Sequence, residues 1–454
     1  MGIKEYFERE DIRAQAKKDL CEIVAIPSVA SSADGIYPYG KECARAVDKA
    51  KEIAERYGFK CENHEYHCLS VLFGDSEKEV GIVAHLDVVP AGEGWTFDPY
   101  TLVEKDGLLI GRGAHDDKGP FIQALYTMRY FKENGIKLPF TIRLILGSDE
   151  EVGSSDLAYF RKVRKPPMFS FTPDSEFPVC IGEKSILGVN VDLGELPENV
   201  IDIHGGTVSN AVAGRAYAKI KGKVSFKDTE FVKAEADGND TLIKAIGKTA
   251  HAAMPEAGVS AIKLLIDALI ENKIVSGDRF DFISKATAEY KGETLGIAAE
   301  NEDFGYLTCV GGVLQVKGGR LLQNFNIRYL PESDYKDLVK NIEASVAPFG
   351  GKVSLTSQST GYHVSADDEK IKALTKACED VVGYECKPYT MGGGTYARSL
   401  PNTVAFGSGV LEERNHLGDE HGNAHQTDEY ISVKEFFMGM EIYSRALDNL
   451  SAIL

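Results

Sequence analysis

Residues 79–87 read Glu-Val-Gly-Ile-Val-Ala-His-Leu-Asp, a short apolar run that stops at a histidine and an aspartate. A run this short, without polar alternation, predicts a strand buried on both faces, as in a parallel sheet covered by helices. Two further stretches repeat the pattern: Thr141-Ile-Arg-Leu-Ile-Leu146 runs into Gly147-Ser-Asp-Glu150-Glu151, and Met168-Phe-Ser-Phe171 runs into Thr172-Pro-Asp174. Helical spacing lies around them. Ala44, Val47, Ala50, Ile53, Ala54 and Tyr57 precede the stop at Gly58; Ala124, Leu125, Met128 and Phe131 follow Pro120, with Asn134-Gly135 as the stop. The first third is therefore α/β in character.

The texture changes near residue 188. Residues 187–193 and 218–224 alternate, Val259 to Ile270 has helical spacing, and Lys317-Gly-Gly-Arg320 joins two strand-like runs into a predicted hairpin. A helix is predicted after Ser333, and helix and strand signals of the first kind return beyond residue 366, with helices around 367–382 and 432–448. The expectation is an α/β domain with a mostly parallel sheet flanked by helices, formed by residues 1–187 and 366–454. An inserted α+β domain, residues 188–365, interrupts it.

Composition narrows the function classes. The 454 residues carry 51 Lys+Arg against 69 Asp+Glu, a net −18, which disfavours nucleic acid and anionic membrane surfaces as partners. With 43% hydrophobic and 26% charged residues the chain reads as globular rather than disordered. The charged stretch Met1–Glu10 has no apolar signal core, and no run approaches the roughly 18 apolar residues of a membrane span, so a cytoplasmic protein is expected. The 8 cysteines lack C-x-x-C spacing and read as buried thiols.

In an open parallel sheet the functional crevice lies outside the carboxyl ends of the strands. His85-Leu-Asp87, Glu150-Glu151 and Asp174, far apart in sequence, are therefore expected to meet there. Gly111-Arg-Gly-Ala-His-Asp116-Asp117-Lys118-Gly119 precedes a helix and is placed to join them. Taken singly these segments are ordinary: acids decorate helix starts, and Glu-Glu is a common solvated turn. Four at the edges of apolar runs are not. Clustered carboxylates repel unless cations neutralise them, and a mixed His/Asp/Glu set suits zinc, manganese or cobalt better than calcium. A second histidine is needed, and His416, His421 and His425 are all available; spacing does not choose among them.

The order His-x-Asp, Asp-Asp, Glu-Glu, Asp, with Gly-Arg-Gly-x-x-Asp-Asp-Lys-Gly at 111–119 and Ala-His-Gln-x-Asp-Glu-Tyr at 424–430, resembles the dinuclear zinc peptidases that include aminoacylases, glutamate carboxypeptidases and PepV-type bacterial dipeptidases. The resemblance runs from Ile26-Pro-Ser-Val29 to the C-terminal motif and is nearest the PepV-type dipeptidases. It implies two divalent ions, zinc first with manganese or cobalt as alternatives. Asp116 would bridge them, with His85 and Asp174 on one ion and Glu151 and His425 on the other. Asp87 would stand behind His85 and fix its tautomer, and Glu150 would be the general base toward a water activated by the ions.

The same resemblance makes the insertion a lid. His251 in Gly247-Lys-Thr-Ala-His would act on the reacting carbonyl oxygen, Asn210 would touch the substrate, and Arg328 would clamp a peptide carboxylate. Gly393 and Gly394, in a Gly-rich turn that lacks the Gly-Lys-Ser/Thr ending of a phosphate loop, would border the substrate pocket. The chain departs from its relatives at Ser260, where Asn is common, at Ala211-Val-Ala after Asn210, and at Leu330 before Pro331. These bear on side-chain preference and touch none of the implied ligands. A monomeric, metal-dependent dipeptidase acting on short peptides is implied. The alternatives are an N-acyl-amino-acid deacylase or carboxypeptidase with the same centre, and a non-catalytic metal-binding protein.

Overall fold

The computed structural model describes residues 1–410, 416–418 and 421–454. The chain divides into two compact units, one formed by Met1–Ile181, Val364–Tyr389 and Gly394–Leu454, the other by Gly182–His363 and Thr390–Gly393. The second unit thus begins at Gly182, ahead of the change of texture at 188, and takes back a four-residue segment of the Gly-rich turn.

In the first unit the strands lie side by side in the order Lys60–His64, Cys68–Phe73, Thr141–Gly147, Glu79–His85, Phe169–Thr172, Thr403–Phe406 and Val179–Glu183. The middle four run parallel, and they include all three runs read from the sequence. The margins are antiparallel, so the sheet is mixed rather than mostly parallel. At one margin the reason is local. Lys60–His64 and Cys68–Phe73 form a hairpin whose turn places Glu65 and Tyr66 at positive φ, without the Gly or Asn that announces such turns.

The central strands carry the core. Ile82, Val83, Leu144, Ile145 and Leu146 are fully buried, each contributing about 1.5–3 kcal/mol relative to exposure. The helix Lys118–Glu133 begins two residues before Pro120, because Asp117 is its N-cap position, and it is buried from Lys118 to Phe131. It lies between the sheet and the helix Val433–Ser451, to which Gln123 and Thr127 donate hydrogen bonds at the Phe436 and Met440 carbonyls. Gly439 permits that approach: a Cβ there would come within 2.4 Å of the Gln123 amide.

The second unit is α+β. Eight antiparallel strands follow the order Val232–Asp237, Asp240–Ile246, Arg215–Ile220, Val200–Gly205, Thr308–Lys317, Arg320–Tyr329, Ser185–Glu195 and Lys352–Ser359. The predicted hairpin closes through Gly318 and Gly319, both at positive φ, as a two-residue turn of this type requires. Leu265, Phe280, Ile283 and Ile342, from three helices, share one core with the sheet. Ser260, one of the departures from the relatives, is the N-cap of the helix Ala261–Glu271 and accepts from Lys263 N–H at 3.3 Å. Ser and Asn are interchangeable in that task. Among the described residues no helix is long and apolar enough to cross a membrane.

Candidate metal centre

Strand register places the candidate residues. His85 ends its strand opposite Gly147 of the parallel neighbour, so Leu86-Asp87 and Ser148–Glu151 leave the sheet together. Phe171 lies opposite Ile82 on the other side, and its strand runs on to Asp174. Asp116 and His425 come from elsewhere. The strand Leu108–Ile110 precedes Asp116, the strand Tyr430–Ser432 follows His425, and the two strands pair antiparallel, which draws both loops to one place.

The five implied ligands meet. His85 Nε2 lies 2.9 Å from Asp116 Oδ1 and 3.9 Å from Asp174 Oδ2. His425 Nε2 lies 3.0 Å from Asp116 Oδ2 and 3.0 Å from Glu151 Oε1. The two oxygens of Asp116 thus face different imidazoles. Two ligand sets result, His85/Asp116/Asp174 and Asp116/Glu151/His425, each with its donor atoms within 4.8 Å of one another. Of the three histidines left open by spacing, His425 is the one at the cluster. His421 turns Nδ1 to Thr427 Oγ1 at 3.0 Å, and the His416 ring packs edge-on to Tyr430.

Tautomer chemistry tests the fit to a metal. His85 Nδ1 lies 2.9 Å from the main-chain carbonyl of Asp87, which only accepts, so Nδ1 carries the proton. As a metal ligand the ring is neutral, so Nε2 presents a lone pair; Nε2 and Asp116 Oδ1, both buried, have no hydrogen-bond partner. Two electron-pair donors facing each other at 2.9 Å are what a divalent cation requires and what a hydrogen-bonded core does not tolerate. The residues fit the ions.

The Asp87 carbonyl accepts from His85 Nδ1, and the Asp87 carboxylate Oδ1 stands 3.6 Å from the same atom. Asp87 Oδ1 and Oδ2 also accept from Glu150 N–H at 3.2 Å and Glu151 N–H at 3.1 Å, fixing the turn that carries both glutamates. Glu150 belongs to neither ligand set. Burial pushes its carboxyl well above the ordinary range; the carboxylates of Glu151, Asp116 and Asp87 push the same way, against the His85 imidazole. Burial likewise raises Asp174 and Glu151. For Asp116 burial acts upward too, but the two imidazoles, when protonated, outweigh it and hold the carboxylate well below its usual range.

The profile of peptidase family M20/M25/M40 matches residues 81–449. The chain belongs to this family. YtjP of Bacillus subtilis (strain 168) is 31% identical over 437 residues, 91% of this chain and 92% of that protein. The Beta-Ala-Xaa dipeptidase of Lactobacillus delbrueckii subsp. lactis is 30% identical over 464 residues, 96% of this chain and 95% of that protein. Among solved structures human carnosine dipeptidase 1 superposes with a TM-score of 0.60 at 17% identity, covering 99% of both chains, a likeness of fold.

This M20-family peptidase also has residues near the centre whose part motif spacing does not reveal. Glu429 is fully buried; its Oε1 accepts from the N–H groups of Gly113, His115 and Asp116, each at 3.0 Å, and its Oε2 accepts from Arg112 at 2.5 Å. It holds the loop that presents Asp116. The only sequence signal was its place in the motif at 424–430. Glu429→Ala would leave a buried guanidinium and three N–H groups unmatched, and is expected to destabilise the fold by about 3–5 kcal/mol in denaturant unfolding, with Glu429→Gln milder.

Asp156 does the same for the Glu150 turn. Its Oδ2 accepts from Ser148 N–H at 2.7 Å, Asp149 N–H at 3.0 Å and the Tyr396 hydroxyl, and a Cβ on Gly147 would collide with this group. Burial pushes the Asp156 carboxyl up to about 7. Because the folded value is raised, the folded state holds this proton while the unfolded chain has released it, so Asp156 loses stabilising weight as pH rises from about 4 to 7. The stability deficit of Asp156→Asn should therefore be larger at pH 5 than at pH 7 in paired unfolding curves. A deficit independent of pH would contradict the assignment.

In the second unit the implied substrate residues form a connected group. Ala252 N–H, next to His251, donates to the Asn210 carbonyl at 2.9 Å, and Thr308 Oγ1 donates to the Ala252 carbonyl at 2.9 Å. Thr308 pairs across the sheet with Arg328. Arg328 is buried, donates to Asn326 Oδ1 at 3.0 Å and reaches the Gly392 carbonyl at 3.3 Å, beside Gly393. His251 is exposed and accepts from Ala253 N–H at 3.2 Å. Gly394 belongs to the first unit, where a Cβ would strike the Arg398 guanidinium.

Proposed function

We propose that the chain is a metal-dependent dipeptidase whose centre is built by His85, Asp116 and Asp174 on one side and Asp116, Glu151 and His425 on the other. The observation that carries this is the Asp116 carboxylate, set between two Nε2 atoms at 2.9 and 3.0 Å, with His85 Nε2 and Asp116 Oδ1 facing each other unpartnered. Divalent ions there, zinc first and manganese or cobalt as alternatives, would polarise the scissile carbonyl and acidify a water.

The remaining steps belong to the protein. Glu150, held by its own N–H on Asp87 and kept out of the ligand sets, accepts the proton of the attacking water and delivers it to the departing amine. Its raised carboxyl suits both halves of that task. The second unit serves as the lid. Arg328, fixed by Asn326 and the Gly392 carbonyl, pairs with the C-terminal carboxylate of the peptide, Gly393 and Gly394 border it, Asn210 contacts the substrate, and His251 donates to the carbonyl oxygen as charge grows on it. A clamp on the terminal carboxylate favours cleavage of the bond nearest a free C-terminus. We take the protein to act as a monomer in the cytoplasm.

Rates on unblocked dipeptides, tripeptides, and N-acetyl and N-succinyl amino acids test it. Dipeptides should be the best substrates by kcat/KM. Turnover of the N-acyl amino acids alone would replace the dipeptidase by a deacylase with the same centre.

A further inference from the structure

Cys378 and Cys386 take no part in the proposed reaction, yet their Sγ atoms lie 3.5 Å apart. The arrangement is built by the chain around them. Cys378 sits just before the last turn of the helix Glu369–Val382, Gly383 ends that helix at a φ of 82°, and the chain doubles back. Cys386 N–H then donates to Glu379 Oε1 at 3.2 Å, which seats its side chain against Cys378. Both residues are buried, Cys378 at 1% relative exposure and Cys386 at 7%.

We propose that Cys378 and Cys386 are an oxidative modification site that takes a peroxide and closes to an intrachain disulfide. Cys386, the more accessible sulfur, attacks one peroxide oxygen. The S–O bond forms, the O–O bond breaks, and the departing hydroxide leaves as water with the thiol proton, giving a sulfenic acid at Cys386. The Cys378 sulfur then displaces that hydroxyl. The S–S bond forms, the S–O bond breaks, and the second hydroxide leaves as water with the Cys378 proton. Two thiols are oxidised and one peroxide is reduced to two waters. Burial pushes both thiols above the ordinary range, so the reaction is slow at neutral pH and is run in mildly alkaline buffer.

The location gives the link a consequence. Three residues beyond Cys386, the Tyr389 hydroxyl accepts from Glu176 N–H at 3.1 Å and donates to the Glu176 carbonyl at 3.2 Å. Glu176 lies two residues past Asp174. A disulfide would fasten the segment that braces the Asp174 turn.

The test uses the full folded chain with Cys21→Ser, which removes the exposed thiol and leaves seven of the 8 cysteines. After hydrogen peroxide, quenching by alkylation and denaturation, free thiols should fall from seven to five. Peptide mapping should find Cys378 joined to Cys386, and dithiothreitol should restore seven. With Cys386→Ser added, six thiols should remain six, and the same holds for Cys378→Ser. The proposal is overturned if the parent retains seven thiols, if the linked peptides carry other cysteines, or if Cys386 proceeds to sulfinic acid while Cys378 stays alkylatable.

Discussion

Glu150→Gln should lower the turnover of a dipeptide by about 10²- to 10⁴-fold, the usual worth of a positioned general base, while metal content and fold stay as in the parent. Glutamine keeps the shape and the main-chain bond to Asp87, and it leaves both ligand sets intact. It cannot take a proton from water. The loss should therefore fall on kcat, with KM little changed. Initial rates alongside metal analysis check this. An unchanged rate in a metal-replete variant would remove Glu150 from the proton transfer, and a metal-poor variant would show that it serves the ions instead.

Asp116→Asn should have the larger effect on the metals. Asp116 is the one residue common to both ligand sets, and its two oxygens face different imidazoles. Removing one partner behind a ligand weakens metal binding about 10- to 100-fold, so replacing the shared ligand itself should exceed about 100-fold for each ion. His425→Ala and Asp174→Asn each touch one set only. Equilibrium dialysis should accordingly find two ions per parent chain, one per single-set variant and none in Asp116→Asn at the same free metal. Equal occupancy in Asp116→Asn and His425→Ala would contradict a shared ligand.

The elements legible in the sequence were those whose environment is uniform. Ile82, Val83, Leu144 and Ile145 are buried on both faces of the sheet, so their apolar runs announce strands, and the polar residue that ends each run marks the crevice. The Gly318-Gly319 hairpin was legible because its turn needs positive φ. The hairpin at Glu65-Tyr66 was not, because its three-residue loop takes positive φ at residues that are neither Gly nor Asn, and with it went one antiparallel margin of the sheet. The choice of His425 over His421 depends on the pairing of Tyr430–Ser432 with Leu108–Ile110, a long-range contact that spacing does not encode. Glu429 and Asp156 were missed for a related reason. Their partners are main-chain N–H groups, which every sequence has, so only the folded chain shows that these acids hold the loops of Asp116 and Glu150. At Asp87 the carbonyl meets the imidazole and the carboxylate holds the main-chain N–H groups of both glutamates, a division of contacts that spacing does not encode.

The reading stands or falls on metal-dependent hydrolysis of an unblocked dipeptide. Chelator-stripped protein should show no turnover of such a dipeptide, and activity should return on adding zinc, manganese or cobalt, saturating at two ions per chain. Full turnover by the stripped protein, or no turnover of any dipeptide once metal is restored, would contradict it.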